Sequence, residues 1–281
     1  LIVVLIKLLA VLIVAAGVLG GSAFLAYEVF WKPATLDEEE RVEIEAQALL
    51  PPPPHPSLAA YAEAVKLLQE GKSAEGAAGL MALLENDPDA PVAEQSKSML
   101  GEINLRKFLS PVPGPEKIEY TVVKGDSLSR IASKTGVGPD LIFRANNLPN
   151  INLKIGQVLM IPQMDVRGDV NRQEGILLLT HAGRFFKEYK LLGANVPGLS
   201  QTATLEASVA DKIAIYEDKR IPFGDEDFTV AEKTVLLSSG GVSLRSMPEN
   251  AEKVPSGLVL SPADMEEIFI LVSLGTPFSI Q

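Results

Sequence analysis

The chain has 281 residues, enough for a membrane segment and two or three small domains rather than one uniform globule. Its 36 acidic against 25 basic residues give a net charge of -11, which disfavours nucleic-acid binding because phosphate backbones are held mainly by Lys and Arg. With no cysteine, disulfides, thiolate nucleophiles and Cys-ligated zinc are excluded, and two histidines offer little for a metal cluster, so neither metal nor cofactor is expected.

Leu8 to Phe30 is an almost wholly apolar run, and about twenty residues suffice to cross a hydrocarbon core as a helix. Lys7 can snorkel at one end, and Trp31 with Lys32 suits the headgroup layer at the other. Residues 1–32 therefore read as a transmembrane anchor. The alternative is a cleaved secretory signal with Gly21-Ser22-Ala23 as the cleavage site, although a signal core is usually only about seven to fifteen residues. Lys7 and Lys32 flank the run on opposite sides, so its orientation must come from the modules that follow. Residues 33–56 form an acidic, Pro-rich linker, in which Asp37 to Glu40 must lie in water and Pro51 to Pro56 should be a stiff polyproline II spacer.

A helical block spans 57–110. Leu58, Tyr61, Val65 and Leu68 recur at helical spacing between a cap at Ser57 and a stop at Gly71; Ala74, Ala77, Leu80 and Leu84 outline a second helix. A third helix begins near Pro91 and runs to about Lys107. Ala64, Gly76 and Ala77 would let two helices approach closely. The block resembles one tetratricopeptide-like (TPR-like) hairpin with a further helix, and a lone copy must either pack on another domain or offer its open face to a partner. His55, in the proline run, and His181, further on, read as solvated loop residues.

After a linker at 111–117, residues 118–163 read strand, helix, helix, strand. Ile118 to Val123 is β-branched and alternating, Lys124-Gly125-Asp126 turns the chain, and Ser127 caps a helix burying Leu128, Ile131 and Ala132. A second helix after Pro139 ends at Asn146-Asn147, and Val158 to Ile161 closes the unit. This stretch resembles the LysM family at Tyr120, Val122, Gly125-Asp126-Ser127-Leu128, Ile131-Ala132, Asn146-Asn147-Leu148, Leu153, Gly156-Gln157 and Leu159-Ile161-Pro162. The resemblance implies a shallow groove for N-acetylglucosamine-containing glycans, chiefly peptidoglycan or chitin. It would be lined by Gly125, Asp126, Ser127 and Leu128 on one side and Asn150, Ile151, Asn152 and Leu153 on the other. An acetamido sugar offers amide donor and acceptor groups and a methyl, which a glycine turn, polar Asp and Asn, and apolar Leu and Ile can meet. Asp126 and Ser127 are also residue types that cap helices, and the two roles are compatible.

Residues 164–281 read as a mainly-β domain. Ile176 to Leu179 and Phe185 to Leu191 form a hairpin with a loose turn at His181 to Arg184; β-like runs recur at Lys212 to Tyr216 and Thr234 to Leu237. Ser261-Pro262-Ala263-Asp264 starts a helix that runs to Leu271 and leads to a turn and final strand through Ile280. The hairpin, together with Leu260-Ser261 through Ile268-Phe269, Val272 and Gly275-Thr276-Pro277, resembles the YkuD-type L,D-transpeptidases, which act through an acyl-cysteine. Their Ser-His-Gly-Cys stretch corresponds here to Val254, Pro255, Ser256 and Gly257, and their upstream histidine falls near Ser243. No slip of register creates a cysteine, so that catalysis is chemically excluded. A serine mechanism at Ser256 or Ser243 would need a base, for which Arg245, Glu249 and Lys253 are the nearby ionisable groups.

The sequence thus describes a multidomain chain of transmembrane helix, small all-α TPR-like block, βααβ LysM module and mainly-β L,D-transpeptidase-like domain. Its expected role is non-catalytic: a peptidoglycan-binding envelope protein on a bacterial cytoplasmic membrane, with its bulk in the periplasm or cell-wall space. The alternatives are a subunit of an envelope protein assembly and a peptidoglycan-active enzyme of serine-based mechanism.

Overall fold

The computed structural model describes residues 55–281 except 164, 197, 201–202, 240 and 249–252. The expected anchor and most of the proline spacer lie outside the described residues, as does Glu249. Among the described residues no helix is long and apolar enough to cross a membrane.

The helical block consists of α1 (Pro56–Gln69), α2 (Ser73–Asn86) and α3 (Ala93–Phe108). Pro56, with its fixed φ, starts α1 one residue before the expected cap, so His55 takes the N-cap position and Ser57 is buried inside the first turn. The His55 Nδ1 lies 2.7 Å from the Ser57 Oγ, so this histidine has a local structural role while its side chain stays half-exposed. Close approach of α1 and α2 depends on small residues: a Cβ on Gly76 would lie 2.6 Å from Leu68 Cγ, and one on Gly79 would lie 3.2 Å from Ala64 Cβ. The other face of the block is covered, because α3 packs along a strand of the β domain, as described below.

In the next module β1 (Lys117–Thr121) pairs antiparallel with β2 (Val158–Pro162), and α4 (Leu128–Thr135) and α5 (Pro139–Ala145) lie between them. This is the strand, helix, helix, strand order read from the sequence. Gly136, at φ +74°, ends α4 in the left-handed conformation that glycine adopts without strain. Asn146 then ties α5 to β2: its amide donates to the Ile142 and Met160 carbonyls, both at 2.8 Å, and its Oδ1 accepts from the Met160 N–H at 2.7 Å.

The remaining strands are β3 (Val166–Asn171), β4 (Ile176–His181), β5 (Arg184–Lys190), β6 (Gly193–Asn195), β7 (Leu205–Tyr216), β8 (Lys219–Arg220), β9 (Glu232–Leu237), β10 (Ser243–Ser246), β11 (Gly257–Leu260) and β12 (Pro277–Ile280). They form one sheet in the order β5-β4-β3-β12-β7-β9-β10-β11-β6, with β8 on β7. The β3–β12 and β10–β11 pairs are parallel. The helix α6 (Pro262–Leu271) starts at a Ser261 cap whose Oγ accepts from the Asp264 N–H at 3.1 Å. The hairpin turn expected to be loose is a tight two-residue turn, since Ala182 (φ 48°) and Gly183 (φ 73°) both take the positive φ that matches strand twist.

The LysM-like module, the sheet and the C-terminal end of α3 share one apolar core, while the rest of the helical block encloses two smaller clusters of its own. Leu105 and Phe108 of α3, Leu128, Ile131, Leu141 and Ile161 of the LysM-like module, and Leu177, Leu244, Leu258 and Phe278 of the sheet belong to the same buried cluster. α3 covers the edge strand β5: Phe108 meets Phe186 edge to face at 5.7 Å, Asn104 donates to the Phe186 carbonyl at 2.9 Å, and Lys97 pairs with Glu188 at 3.2 Å. An edge strand left open would be a template for pairing with other chains.

Candidate functional site

The two loops named as a candidate groove open from neighbouring points of the chain. The Val122 N–H donates to the Gln157 carbonyl at 2.9 Å and its carbonyl accepts from the Gly156 N–H at 2.8 Å, so the loop after β1 and the loop before β2 leave side by side. In the first loop Gly125 takes φ +86°, and its carbonyl accepts from the Arg130 guanidinium. The Asp126 carboxylate turns inward and is only 2 % exposed. It accepts from the Val123 N–H at 3.0 Å, the Lys134 Nζ at 2.9 Å and the Tyr120 hydroxyl at 2.9 Å. The Val123 N–H foremost, followed by Lys134, holds its pKa at about 2. Ser127 is exposed and its Oγ accepts from the Arg130 N–H at 3.2 Å, as a cap does, while Leu128 is buried.

In the second loop the Asn150 Oδ1 accepts from the Asn152 N–H at 2.9 Å, an Asx turn that leaves Ile151 exposed between them. Leu153 is half-buried and packs on the core. The eight residues therefore divide in two. Gly125, Ser127, Asn150, Ile151 and Asn152 are on the surface, whereas the Asp126 carboxylate, Leu128 and Leu153 hold the loops in shape. Backbone at a glycine turn, a hydroxyl, an amide and a branched apolar side chain are together suited to an acetamido sugar.

The second group of singled-out positions meets on the parallel pair β10–β11. Ser243 opens β10 and is buried; Gly257 opens β11 beside it, Pro255 is half-buried and Ser256 is exposed. Gly257 has φ +113°, and a Cβ there would lie 2.8 Å from the Ser243 carbonyl oxygen and 3.2 Å from its Oγ. A side chain at 257 has neither a suitable backbone conformation nor room. On the neighbouring strand β6, a Cβ on Gly193 would lie 2.3 Å from Val254 Cγ1, so Val254 packs over that glycine. Lys253 is exposed, and Glu249 lies outside the described residues. No group of His, Asp and Glu among them could hold a metal ion.

Sequence reasoning did not identify the polar seam where the LysM-like module meets the sheet. Asp140 of α5 pairs with Lys212 of β7 at 3.1 Å, and Arg144 pairs with Glu266 of α6, which also meets the buried Lys233 at 3.3 Å. Lys212 lies over the Phe269 ring at 4.5 Å, and Lys233 over the Phe228 ring at 4.5 Å. Lys212 opens one of the expected β-like runs and Lys233 lies just before another, and neither position reveals burial.

Residues 120–162 match the LysM domain family. No curated protein matches the chain. Among solved structures, the chain is similar to an L,D-transpeptidase from Mycobacterium smegmatis, at 17% identity and a TM-score of 0.32, over 46% of this chain and 64% of that one. L,D-transpeptidase 1 from Mycobacterium tuberculosis matches at 15% identity and a TM-score of 0.30, over 44% of this chain and 66% of that one. The L,D-transpeptidase (Yku) from Stackebrandtia nassauensis matches at 13% identity and a TM-score of 0.31, over 41% and 55%. The chain thus spans less than two thirds of the first of these structures.

Proposed function

We propose that the protein binds N-acetylglucosamine-containing glycan, chiefly peptidoglycan, in the groove between the 125–128 and 150–153 loops, and that it acts there as a non-catalytic tether. The LysM match over residues 120–162 carries this reading. The exposed set of Gly125, Ser127, Asn150, Ile151 and Asn152 supports it. In this account Leu8 to Phe30 anchors the chain in a bacterial cytoplasmic membrane, with the modules on the outer side. A single shallow site holds glycan weakly, and retention comes from the repeated units of the wall and many tethered copies.

The absence of cysteine and the closure of position 257 support a domain that no longer performs acyl-cysteine chemistry. The alternative, a serine mechanism at Ser256 or Ser243, would need a base, and of the nearby ionisable groups Lys253 is exposed. Co-sedimentation with purified peptidoglycan tests the proposal, comparing wild type with Ile151→Asp. Wild type is expected in the pellet and the folded variant in the supernatant. Wild type left in the supernatant overturns the proposal and moves the role to a subunit of an envelope protein assembly.

A further inference from the structure

The loop after β8 belongs to the β domain, yet it reaches the rim of the candidate groove. Pro222 to Asp225 turn the chain, with the Asp225 N–H donating to the Pro222 carbonyl at 3.2 Å. Gly224, the third residue of that turn, takes φ +96°, the positive value that a type II turn requires at this position. Having no side chain, it leaves a space that Ile151 fills: a Cβ on Gly224 would lie 3.3 Å from Ile151 Cδ1 and 3.6 Å from its Cγ2. Both branches of Ile151 therefore face the glycine. The residue is still 46% exposed, so a flank remains free for a ligand.

The loop that meets Ile151 is itself fixed on both sides. Phe223 packs edge to face on Phe143 of α5 at 5.8 Å and on Phe228 at 5.4 Å. On one flank of the turn the Ile221 N–H donates to the Ala214 carbonyl of β7 at 2.8 Å, and on the other the Asp225 Oδ1 accepts from the Asp227 N–H at 3.1 Å. Lys212 of β7 pairs with Asp140 of α5 at 3.1 Å, so the sheet also grips the helix that leads towards the Ile151 loop. A branched side chain that already rests on a fixed loop loses less rotamer freedom when a ligand covers it than one standing alone in water. The contact with Gly224 thus prepares Ile151 for binding.

From this contact between the two modules we propose that Gly224 is a positioning residue for the glycan site: by leaving room beside Ile151 it sets the direction in which that side chain meets the sugar. The inference rests on the glycan-binding reading above. It gives the β domain a part in glycan recognition that requires no catalysis and no contact of its own with the sugar. The glycan groove is then a property of the LysM module and the sheet together.

The test is a double-mutant cycle on the full chain, read by calorimetric titration with an N-acetylglucosamine pentamer, with thermal melting to report the folding of each variant. Gly224→Asn uses a residue that this turn position tolerates, places a side chain against Ile151 and is expected to weaken binding about fivefold. Ile151→Val removes Cδ1, the nearer of the two atoms, and keeps a branched apolar wall; in that background the same change at 224 should weaken binding by less than about twofold. Gly224→Ala, which adds only the Cβ, gives a second comparison and should show a smaller loss that Ile151→Val again removes. A turn that merely stabilises the fold would lower affinity equally in both backgrounds. Equal losses in the two backgrounds, or no loss in either, overturn this inference alone. No binding by the wild type overturns the glycan-binding reading and this inference with it.

Discussion

Gly257 and Ser243 lie side by side on a parallel strand pair, so close that a Cβ at position 257 would sit 2.8 Å from the Ser243 carbonyl oxygen. The conformation of Gly257, at φ +113°, strains any L side chain as well. Gly257→Cys is therefore expected to destabilise the fold by about 3 kcal/mol, combining backbone strain with overpacking, and not to restore acyl-enzyme formation even when Ser243→His is added. Chemical denaturation measures the first effect, and mass spectrometry after treatment with an acylating probe the second. A stable variant that is acylated at position 257 contradicts the geometry.

Asp126 gives a pH-dependent prediction. Its carboxyl titrates at about 2, below the ordinary 3.8, because the Val123 N–H and Lys134 stabilise the ionised form. A depressed folded pKa adds stability above the unfolded value, and that stability is lost as pH falls from about 4 towards about 2. Asp126→Asn should lower the melting temperature at pH 7 and flatten its dependence on pH in that window. Thermal unfolding across pH 2 to 5 decides it; parallel curves for the two proteins contradict the account.

At the opposite end of the pH scale, Lys187 of β5 sits between Glu102 at 2.6 Å and Glu267 at 2.8 Å. Burial pulls its pKa down, but hydrogen bonds to both carboxylates outweigh this and raise it above the ordinary 10.5. Burial and Glu267 likewise raise the Tyr189 hydroxyl, which donates to Glu267 at 3.1 Å. A raised folded pKa contributes stability that is present below the unfolded value and lost as pH rises through the folded one, so the fold should weaken above about pH 10. Lys187→Met is expected to cost about 2 kcal/mol at pH 7, less than for a fully buried pair because Glu102 is exposed to solvent. Urea unfolding at pH 7 and at pH 11 measures both terms.

Asn146→Ala removes the bridge between α5 and β2 and leaves the Met160 N–H and carbonyl without their side-chain partner. The expected loss is about 2 to 3 kcal/mol, since buried groups would be left unpaired. Because Asn146 lies outside both loops, glycan affinity of the fraction that remains folded should be unchanged. Equilibrium unfolding and a binding titration separate the two outcomes.

How far the sequence disclosed this structure depended on whether the signals were local. Ser127, Pro139 and Asn146 mark helix ends by their own chemistry, so the strand, helix, helix, strand order of the module could be read, whereas the end of α4 at Gly136 was not. The Ser261 cap of α6 was legible for the same reason. His55 displaced Ser57 as a cap because Pro56 began the helix, a competition between neighbours that residue preferences alone do not rank. β3 was missed because Gly168 breaks its alternation; that glycine is required by the Phe278 ring of the distant strand β12, which would lie 2.3 Å from a Cβ there. Within the candidate groove the residue types were legible but their directions were not. Asp126 faces inward because Tyr120 and Lys134, six and eight residues away in sequence, meet at its carboxylate. The seam of Asp140, Lys212 and Phe223 was invisible, since its members come from segments brought together only by the fold.

The central claim concerns the two loops, and the most direct measurement is a backbone amide NMR titration of the compact His55–Gln281 unit with an N-acetylglucosamine pentamer. The account predicts shifts at Gly125, Ser127, Ile151 and Asn152 that saturate together, with small shifts at Leu128 and none at Ser243 or Gly257. An unchanged spectrum up to millimolar ligand, or shifts centred on the sheet, would contradict it.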